Sequence, residues 1–207
     1  MAMRSFVIYT PGDPISDQLA TRCIESGKKF DLSIHRAEGF PKLQARKYAF
    51  EHGLQFGFDY LEYQQIRPLR DSQIAIFIAH RHLWSRCVAL NEPINIFEHD
   101  AFLVAPIQKI DFKHVMNYQR QLWDDPNWKW HAKLQRLVDH EKKPGTAKYI
   151  CLPSSAAYSI TPSGAQKLLG IKNMLPLDLF VNKTIVEIDD YPFAWPISRS
   201  NDYSNNK

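Results

Sequence analysis

The 207-residue chain has few cysteines and no long apolar run. Its three cysteines form no Cys-x-x-Cys pair, which argues against a disulfide framework or a zinc knuckle. The longest uninterrupted apolar stretch, Ile74 to Ala79, is far shorter than the roughly 20 residues that cross a bilayer. The amino end lacks the apolar length and the cleavage site of a signal peptide. We therefore expect cysteines buried in the core, no membrane span and a cytoplasmic location.

The sequence also lacks internal repeats and low-complexity linkers, so one domain is the simplest organisation. Hydrophobic residues make up 44% of the chain and charged residues 23%, proportions that are typical of a folded rather than a disordered protein. The formal net charge of +4 is mildly basic. That charge permits an anionic ligand, such as a nucleotide or a nucleic acid, without requiring one.

The first forty residues have the pattern of an α/β fold. Ser5 to Thr10 is β-rich and ends in a Pro-Gly-Asp-Pro loop. Helical spacing of apolar residues then predicts a helix from an N-cap at Ser16 to Gly27, the first residue beyond it. Asp31 to Ala37 alternates like a half-buried strand. Strand, helix and strand predict a parallel sheet, and open α/β sheets bind ligands at the carboxyl edge of their strands.

Elements further along the chain are less regular. The clearest helix is predicted from Ser72 to Asn91, and a β-rich run from Ile94 follows it. The segment between Phe40 and Arg70 has no convincing period apart from a helix-compatible stretch. Strands are predicted at Lys148–Leu152, Ala156–Thr161 and Thr184–Ile188. A helix is predicted with Thr161 as N-cap and Pro162 as first residue. A polar tail is predicted from Ser198 to Lys207.

The triplet Glu98-His99-Asp100 directly follows the apolar strand that begins at Ile94. Acidic groups at the exposed end of a buried strand are held close together, which suits a hard divalent cation that bridges to a diphosphate. Such a cation would neutralise a nucleoside diphosphate leaving group. The alternative is a strand that ends in a solvated polar turn. The triplet alone leaves both interpretations open.

The surroundings of this triplet resemble glycosyltransferase family 25, whose members are often described as lipopolysaccharide biosynthesis enzymes. The order His80-x-x-x-Trp84, helix, strand and Glu98-His99-Asp100-Ala101 is similar to the core of that family. The segment from Ala156 to Leu169 and the sequence Pro176-Leu177-Asp178 resemble two later family motifs. The likeness covers most of the chain and is most pronounced for short phage-encoded members, which tend to carry Glu-His-Asp.

Three positions depart from the family pattern. Ala79 stands where the family has Ser, Gln73 where Glu is frequent, and His99 where the central acid of the triplet is Asp. The change at His99 matters most, because imidazole is neutral or positive where a carboxylate is negative. Metal binding would then depend on Glu98 and Asp100.

The resemblance implies a GT-A fold: a single α/β domain with a Rossmann-like, mostly parallel sheet flanked by helices. Residues 1–105 would form the nucleotide-sugar-binding half, and residues 106–207 the acceptor-binding half and tail. The donor would be a nucleotide sugar, with UDP as the expected nucleotide, and transfer would invert the anomeric centre. A phage-encoded protein would act in the host cytoplasm.

The resemblance also implies roles for particular residues. Asp100 would bind Mn²⁺ or Mg²⁺ together with Glu98, which would also orient the donor ribose or a metal-bound water. Asp178 would be the general base that inversion requires; the alternative is an N-cap or turn aspartate. Further donor contacts are predicted at Tyr9, Thr10 and Pro11, for which a simple turn is the alternative. His80 is also predicted to contact the donor, and its alternative is a core residue. A last donor contact is predicted at Arg199 in the tail.

The acceptor is open between two classes. A glycan hydroxyl, as in lipopolysaccharide synthesis, is one. A hydroxymethylated pyrimidine in double-stranded phage DNA is the other, and it is slightly favoured because segments 28–70 and 111–148 each carry about three more Lys or Arg than Asp or Glu. The second segment adds aromatic rings that could stack on an extruded base, namely Trp123, Trp128, Trp130 and Tyr118. A non-catalytic sugar- or nucleic-acid-binding module is a third interpretation, motivated by the altered triplet.

Overall fold

The structure is a computed structural model that describes residues 3–56, 58–59, 67–118, 152, 154–191 and 196–199. At residues 58, 59, 67 and 199 the description covers the backbone. The predicted strand at Lys148–Leu152 lies outside the described residues except for Leu152, which belongs to no strand. Within the described part, no helix combines the length and the apolarity that crossing a bilayer requires.

Helices and strands alternate over residues 4–51, and three short strands precede the helix that begins at Asp71. The helices are α1 (Pro14–Lys28), α2 (Lys42–Glu51), α3 (Asp71–Leu90), α4 (Pro162–Gly170) and the single turn α5 (Leu177–Phe180). The strands are β1 (Arg4–Tyr9), β2 (Ile34–Glu38), β3 (Gln55–Phe56), β4 (Phe58–Asp59), β5 (Arg67–Pro68), β6 (Ile94–Glu98), β7 (Ala101–Leu103), β8 (Val115–Asn117), β9 (Ala157–Ile160), β10 (Asn173–Met174), β11 (Ile188–Asp190) and β12 (Ile197–Arg199).

A six-stranded sheet in the order β11-β8-β9-β6-β1-β2 forms the centre of the molecule. β1 pairs in parallel with β2 and β6, β8 pairs in parallel with β11, and β9 runs antiparallel to both β6 and β8. Five strands therefore point the same way and β9 alone is reversed. The predicted α/β class with a mostly parallel, helix-flanked sheet is confirmed, and it is consistent with a single GT-A-like domain.

The two faces of the sheet bury different side chains because neighbouring residues of a strand point to opposite faces. Ile94 and Ile96 of β6 pack in the cluster that contains most of the buried apolar residues of α3 and α4. Phe97 packs on the opposite face with Cys23 of α1. α3 is buried around most of its circumference, so its apolar surface is wider than the single stripe that the sequence predicts.

The start and end of α1 differ from the prediction. Asp13 is the N-cap, and its carboxylate accepts hydrogen bonds from the backbone N–H groups of Ile15 and Ser16. The predicted cap, Ser16, is wrong, because Pro14 already occupies the first helical position. Gly27 lies inside the helix rather than beyond it. By contrast, the predicted start of α4 is confirmed, since the Thr161 hydroxyl accepts from Gly164 N–H.

Two predictions near the carboxyl end are also corrected. The β-rich stretch Thr184–Ile188 forms turns over most of its length, because the side chain of Asn182 accepts from both the N–H and the hydroxyl of Thr184. The strand begins only at Ile188. The polar tail was expected from Ser198, yet Ser198 belongs to β12, which pairs antiparallel with β7.

The central sheet draws strands from both predicted halves of the chain. β1, β2 and β6 come from residues 1–105, whereas β8, β9 and β11 come from residues 106–207. The junction is the β6–β9 pair, where Ile94 faces Ile160 and Phe97 faces Ala157. The division into a donor half and an acceptor half stays a prediction, but the two halves share one sheet.

Candidate functional site

The candidate residues gather at one edge of the central sheet. The carboxyl ends of β1 and β6 lie there side by side, since Ile8 is in register with Glu98. Because β9 is antiparallel, its amino end reaches the same edge, and Glu98 N–H donates to the carbonyl of Ala156 over 2.8 Å. This edge therefore combines the ends of two parallel strands with the start of a reversed one.

Glu98 and Asp178 are both bound by Ser155. The Ser155 hydroxyl donates to Oε1 of Glu98 over 2.5 Å, and the backbone N–H of Ser155 donates to Oδ1 of Asp178 over 2.8 Å. Glu98 is partly buried, with 19% of its side chain exposed, whereas Asp178 is exposed in the first turn of α5. The structure thus brings together the predicted metal ligand and the predicted base through a residue that the sequence did not indicate.

A buried hydrogen-bonded chain leads to Glu98 from the interior. Trp84 Nε1–H donates to the Tyr158 hydroxyl over 2.9 Å, and that hydroxyl lies 2.8 Å from Nδ1 of His80. Nε2 of His80 lies 3.6 Å from Oε1 of Glu98, which is too long for a hydrogen bond but close enough for electrostatic contact. His80 and Trp84 come from one turn of α3, while Tyr158 comes from β9.

The hydrogen bonds that join Trp84, Tyr158 and His80 determine which ring nitrogen of His80 carries the proton. Burial raises the pKa of the Tyr158 phenol above its ordinary value, so its hydroxyl keeps its proton. Trp84 is only a donor, which leaves Nδ1 of His80 as the acceptor for the phenol proton within the described part of the chain. A neutral ring that accepts at Nδ1 carries its proton on Nε2. We therefore assign the N–H of His80 to the side that faces Glu98.

His80 itself has no exposed surface. This burial agrees with the alternative that His80 is a core residue. The ring nevertheless also lies against Glu98. A direct contact between His80 and a donor stays a prediction. The segment from His80 to Glu98 thus meets Tyr158, which lies 78 positions after His80, in one connected set of contacts.

Ser16, in the first turn of α1, contacts both the triplet and the loop after β1. The Ser16 hydroxyl accepts from Thr10 N–H over 2.8 Å and lies 3.2 Å from Nδ1 of His99. Ser16 is fully buried, whereas Thr10 and Pro11 are exposed. Tyr9 is half-buried, and the Arg36 guanidinium lies 5.0 Å from the centre of its ring. Tyr9, Thr10 and Pro11 are thus accessible beside His99, and their contact with a nucleotide stays a prediction.

Asp100 lies on the side of α1. It is only 6% exposed. Burial raises the pKa of the Cys23 thiol to about 12, and the negative charge of Asp100 adds to that rise. Cys23 and Cys87 are both buried free thiols, as predicted, while Cys151 lies outside the described residues.

Arg199 is described by its backbone alone. It belongs to β12, where it pairs with Ala101, the residue after Asp100. The end of the chain is thereby brought beside the triplet, but the side chain of Arg199 lies outside the described atoms. Its contact with a donor stays a prediction.

The donor chemistry of the triplet fits a divalent cation. Mn²⁺ and Mg²⁺ prefer carboxylate oxygens, and Mg²⁺ is commonly held by one or two carboxylates together with substrate phosphates and water. Glu98 and Asp100 could supply those two carboxylates. Within the described residues, no group of three or more His, Cys, Asp or Glu side chains is arranged to hold a metal.

One serine was missed from the sequence, a second was given the wrong role, and one aromatic residue was misassigned. Ser155 could have been found as a polar residue just before a buried strand, had the reversal of β9 been known. Ser16 was assigned to capping instead. Tyr118 was expected to be available for base stacking, but it is 1% exposed and lies 2.6 Å from the Ser159 hydroxyl in the core, so that prediction is wrong. Trp123, Trp128 and Trp130 lie outside the described residues.

Comparison with known proteins addresses the family directly. The model of "Glycosyltransferase family 25 (LPS biosynthesis protein)" matches residues 51–190, a range that includes α3, the triplet, Ser155 and Asp178. A "Glycosyltransferase 25 family member" from Anopheles gambiae is 25% identical over 184 residues, which cover 80% of this chain and 29% of that protein. The chain thus spans less than a third of the length of this curated relative. With its matched range containing most of the site at the sheet edge, the chain belongs to glycosyltransferase family 25.

Proposed function

We propose that the protein transfers a sugar from a UDP-sugar donor to a hydroxyl acceptor, with inversion at the anomeric carbon. The observation that carries this proposal is the meeting of Glu98, Ser155 and Asp178 at the carboxyl edge of the sheet, inside the range that matches the family. Ligands of open α/β sheets bind at this edge. The exposed loop residues after β1 lie at the same edge and would contact the nucleotide.

Glu98 and Asp100 would hold Mn²⁺ or Mg²⁺ beside the donor diphosphate. When bound, the ion would offset the negative charge that develops on the departing UDP. The two carboxylates lie next to different neighbours, Glu98 next to Ser155 and Asp100 close enough to Cys23 to affect its pKa. A cation that both carboxylates bind would therefore lie at the end of β6, between Ser155 on one side and α1 on the other. Arg199, whose backbone pairs with Ala101 just after Asp100, would add positive charge near the diphosphate.

Asp178 would act as the general base. In an inverting transfer, the acceptor oxygen attacks the anomeric carbon and loses its proton, while the bond from that carbon to the diphosphate oxygen breaks. Asp178 is exposed, and the backbone N–H of Ser155 holds its Oδ1. An exposed carboxylate on a fixed backbone contact can meet an acceptor that approaches from solvent.

A glycan hydroxyl is the acceptor we favour. The description of the matching family names lipopolysaccharide biosynthesis, and Tyr118 is removed from the aromatic set that supported base stacking. The DNA acceptor remains a second candidate because of the basic balance of segments 28–70 and 111–148. On α2, the exposed cations Lys42, Arg46 and Lys47 contribute to that balance.

Release of UDP from a panel of UDP-sugars, with Mn²⁺ or Mg²⁺ present, tests the transfer. We expect turnover that EDTA abolishes, that falls at least a hundredfold in Asp100→Ala, and that falls about 10²- to 10⁴-fold in Asp178→Asn with donor binding retained. Ser85→Ala is a matched control, because Ser85 is exposed and its hydroxyl bonds only the carbonyl of Arg81 among the described contacts. No UDP release with any donor would leave the chain as a binding module.

The acceptor is tested separately with two substrates. The protein is incubated with hydroxymethylcytosine-containing duplex DNA or with a lipopolysaccharide core oligosaccharide, and the products are measured by mass spectrometry. We expect one added sugar mass on the oligosaccharide. A sugar mass on the nucleoside instead would establish DNA as the acceptor. Binding of the protein to DNA should then weaken steeply as the salt concentration is raised.

A further inference from the structure

Ser155 uses its side chain and its backbone for two different carboxylates. Its hydroxyl donates to Oε1 of Glu98, and its N–H donates to Oδ1 of Asp178. We propose that Ser155 is a positioning residue that aligns the donor-side and acceptor-side carboxylates relative to each other. The proposal rests on the proposed function and adds a residue that neither the motifs nor the family comparison assigns.

The backbone at Ser155 is tied to both elements that carry these carboxylates. On one side, Glu98 N–H donates to the carbonyl of Ala156 over 2.8 Å, which joins the segment to the end of β6. On the other side, Leu152 N–H donates to the carbonyl of Val181 over 2.8 Å, just beyond α5. The segment before β9 is thus held between the strand of Glu98 and the helical turn of Asp178.

Burial strengthens the argument for the side-chain contact. Ser155 is only 8% exposed, and Glu98 is largely covered as well. A hydrogen bond to a charged acceptor in such a place is stronger and more directional than one in water. Loss of the hydroxyl would therefore leave Glu98 with more freedom to turn. Asp178 would be unaffected, because alanine keeps the backbone N–H.

Because alanine at position 155 affects Glu98 and not Asp178, donor kinetics and acceptor kinetics should respond differently. Ser155→Ala is expected to raise the donor KM or the Mn²⁺ concentration for half-maximal activity by roughly ten- to hundredfold, with a smaller effect on the acceptor KM. Ser155→Thr keeps a hydroxyl at the same position and should restore most of the activity. Ser85→Ala controls for the loss of a serine hydroxyl elsewhere. Equal kinetics for Ser155→Ala and Ser85→Ala would overturn the proposal.

A stability cycle tests the contact without any need for turnover. Ser155→Ala, Glu98→Ala and the double variant are unfolded with urea. If the two side chains are coupled, the double variant loses less stability than the sum of the two single variants. Strict additivity would overturn the proposal even in an active protein. If the two side chains are coupled but the wild-type protein turns over no donor, the proposed function is overturned, and with it the positioning role of Ser155 in that reaction.

Discussion

Tyr158 is the residue on which the interior of the site depends most. Its hydroxyl forms hydrogen bonds with both Trp84 and His80, and His80 in turn lies against Glu98. All three members of this chain are fully buried. Water cannot replace a missing partner there without opening the core.

We expect Tyr158→Phe to destabilise the protein by about 1–3 kcal/mol, because it leaves the indole N–H of Trp84 and Nδ1 of His80 without this partner. The measurement is urea unfolding. Tyr9→Phe is the control, since Tyr9 is half-buried, and its effect should stay within about 0.5 kcal/mol. Equal stability of the two variants would show that the buried hydroxyl contributes nothing.

Individual site residues were only partly predictable from the sequence. Glu98 could be predicted, because an acidic residue at the end of an apolar strand is a local pattern. Its partner Ser155 could not, because the two residues are 57 positions apart and meet only through the reversed strand β9. The error at Ser16 has a different origin, because Pro14 directly after Asp13 is itself a local signal for a helix that begins at Pro14.

At the scale of elements, α1 illustrates how a glycine permits close packing. A Cβ added to Gly27 would lie 2.7 Å from Cδ1 of Ile34 and 2.8 Å from the carbonyl oxygen of Leu32. Both distances are shorter than van der Waals contact. The glycine therefore lets the end of α1 approach the start of β2.

We expect Gly27→Ala to destabilise the protein by about 1–3 kcal/mol through this overpacking. Gly170→Ala is a matched control on another helix, because nothing lies within 4 Å of its added Cβ. Alanine favours helix over glycine by up to about 1 kcal/mol, so the control should be neutral or stabilising. Thermal unfolding of both variants makes the comparison, and a stable Gly27→Ala would show that the neighbours can move aside.

Elements with local signals were predicted well. The start of α4 follows from Thr161 and Pro162, and α3 follows from its apolar residues, because neither depends on the rest of the chain. The direction of β9 depends on the path of the chain before it, which no local pattern determines. The stretch Thr184–Ile188 has strand-forming residues, but the side chain of Asn182 turns the chain there instead.

At the scale of the whole molecule, the shared sheet makes the two predicted halves interdependent. β6 is in the middle of the sheet, between β1 from the first half and β9 from the second. Without β9, the backbone groups of β6 that pair with residues 157–160 would lose their partners. The class of the fold was predictable from the sequence, but this joining across the halves was not.

We expect a fragment of residues 1–105 to show no cooperative urea transition, whereas the full chain should unfold in a single step. The physical reason is that the fragment would expose the β9-facing edge of β6 together with core side chains such as Ile94 and Ile96. Circular dichroism during urea titration makes the measurement. A sigmoidal transition in the fragment would mean that the donor half is an independent folding unit.

The Trp84–Tyr158–His80 chain has a consequence for how the protein could diverge. Removing Tyr158 leaves both Trp84 and His80 without this hydrogen-bond partner, whereas replacing all three with apolar side chains of similar shape would cost little folding free energy. Such a joint replacement would take from Glu98 the imidazole beside it. In a homologue that has lost catalytic activity, these three polar side chains could therefore be replaced together. A variant library selected for folding alone should recover that triple replacement.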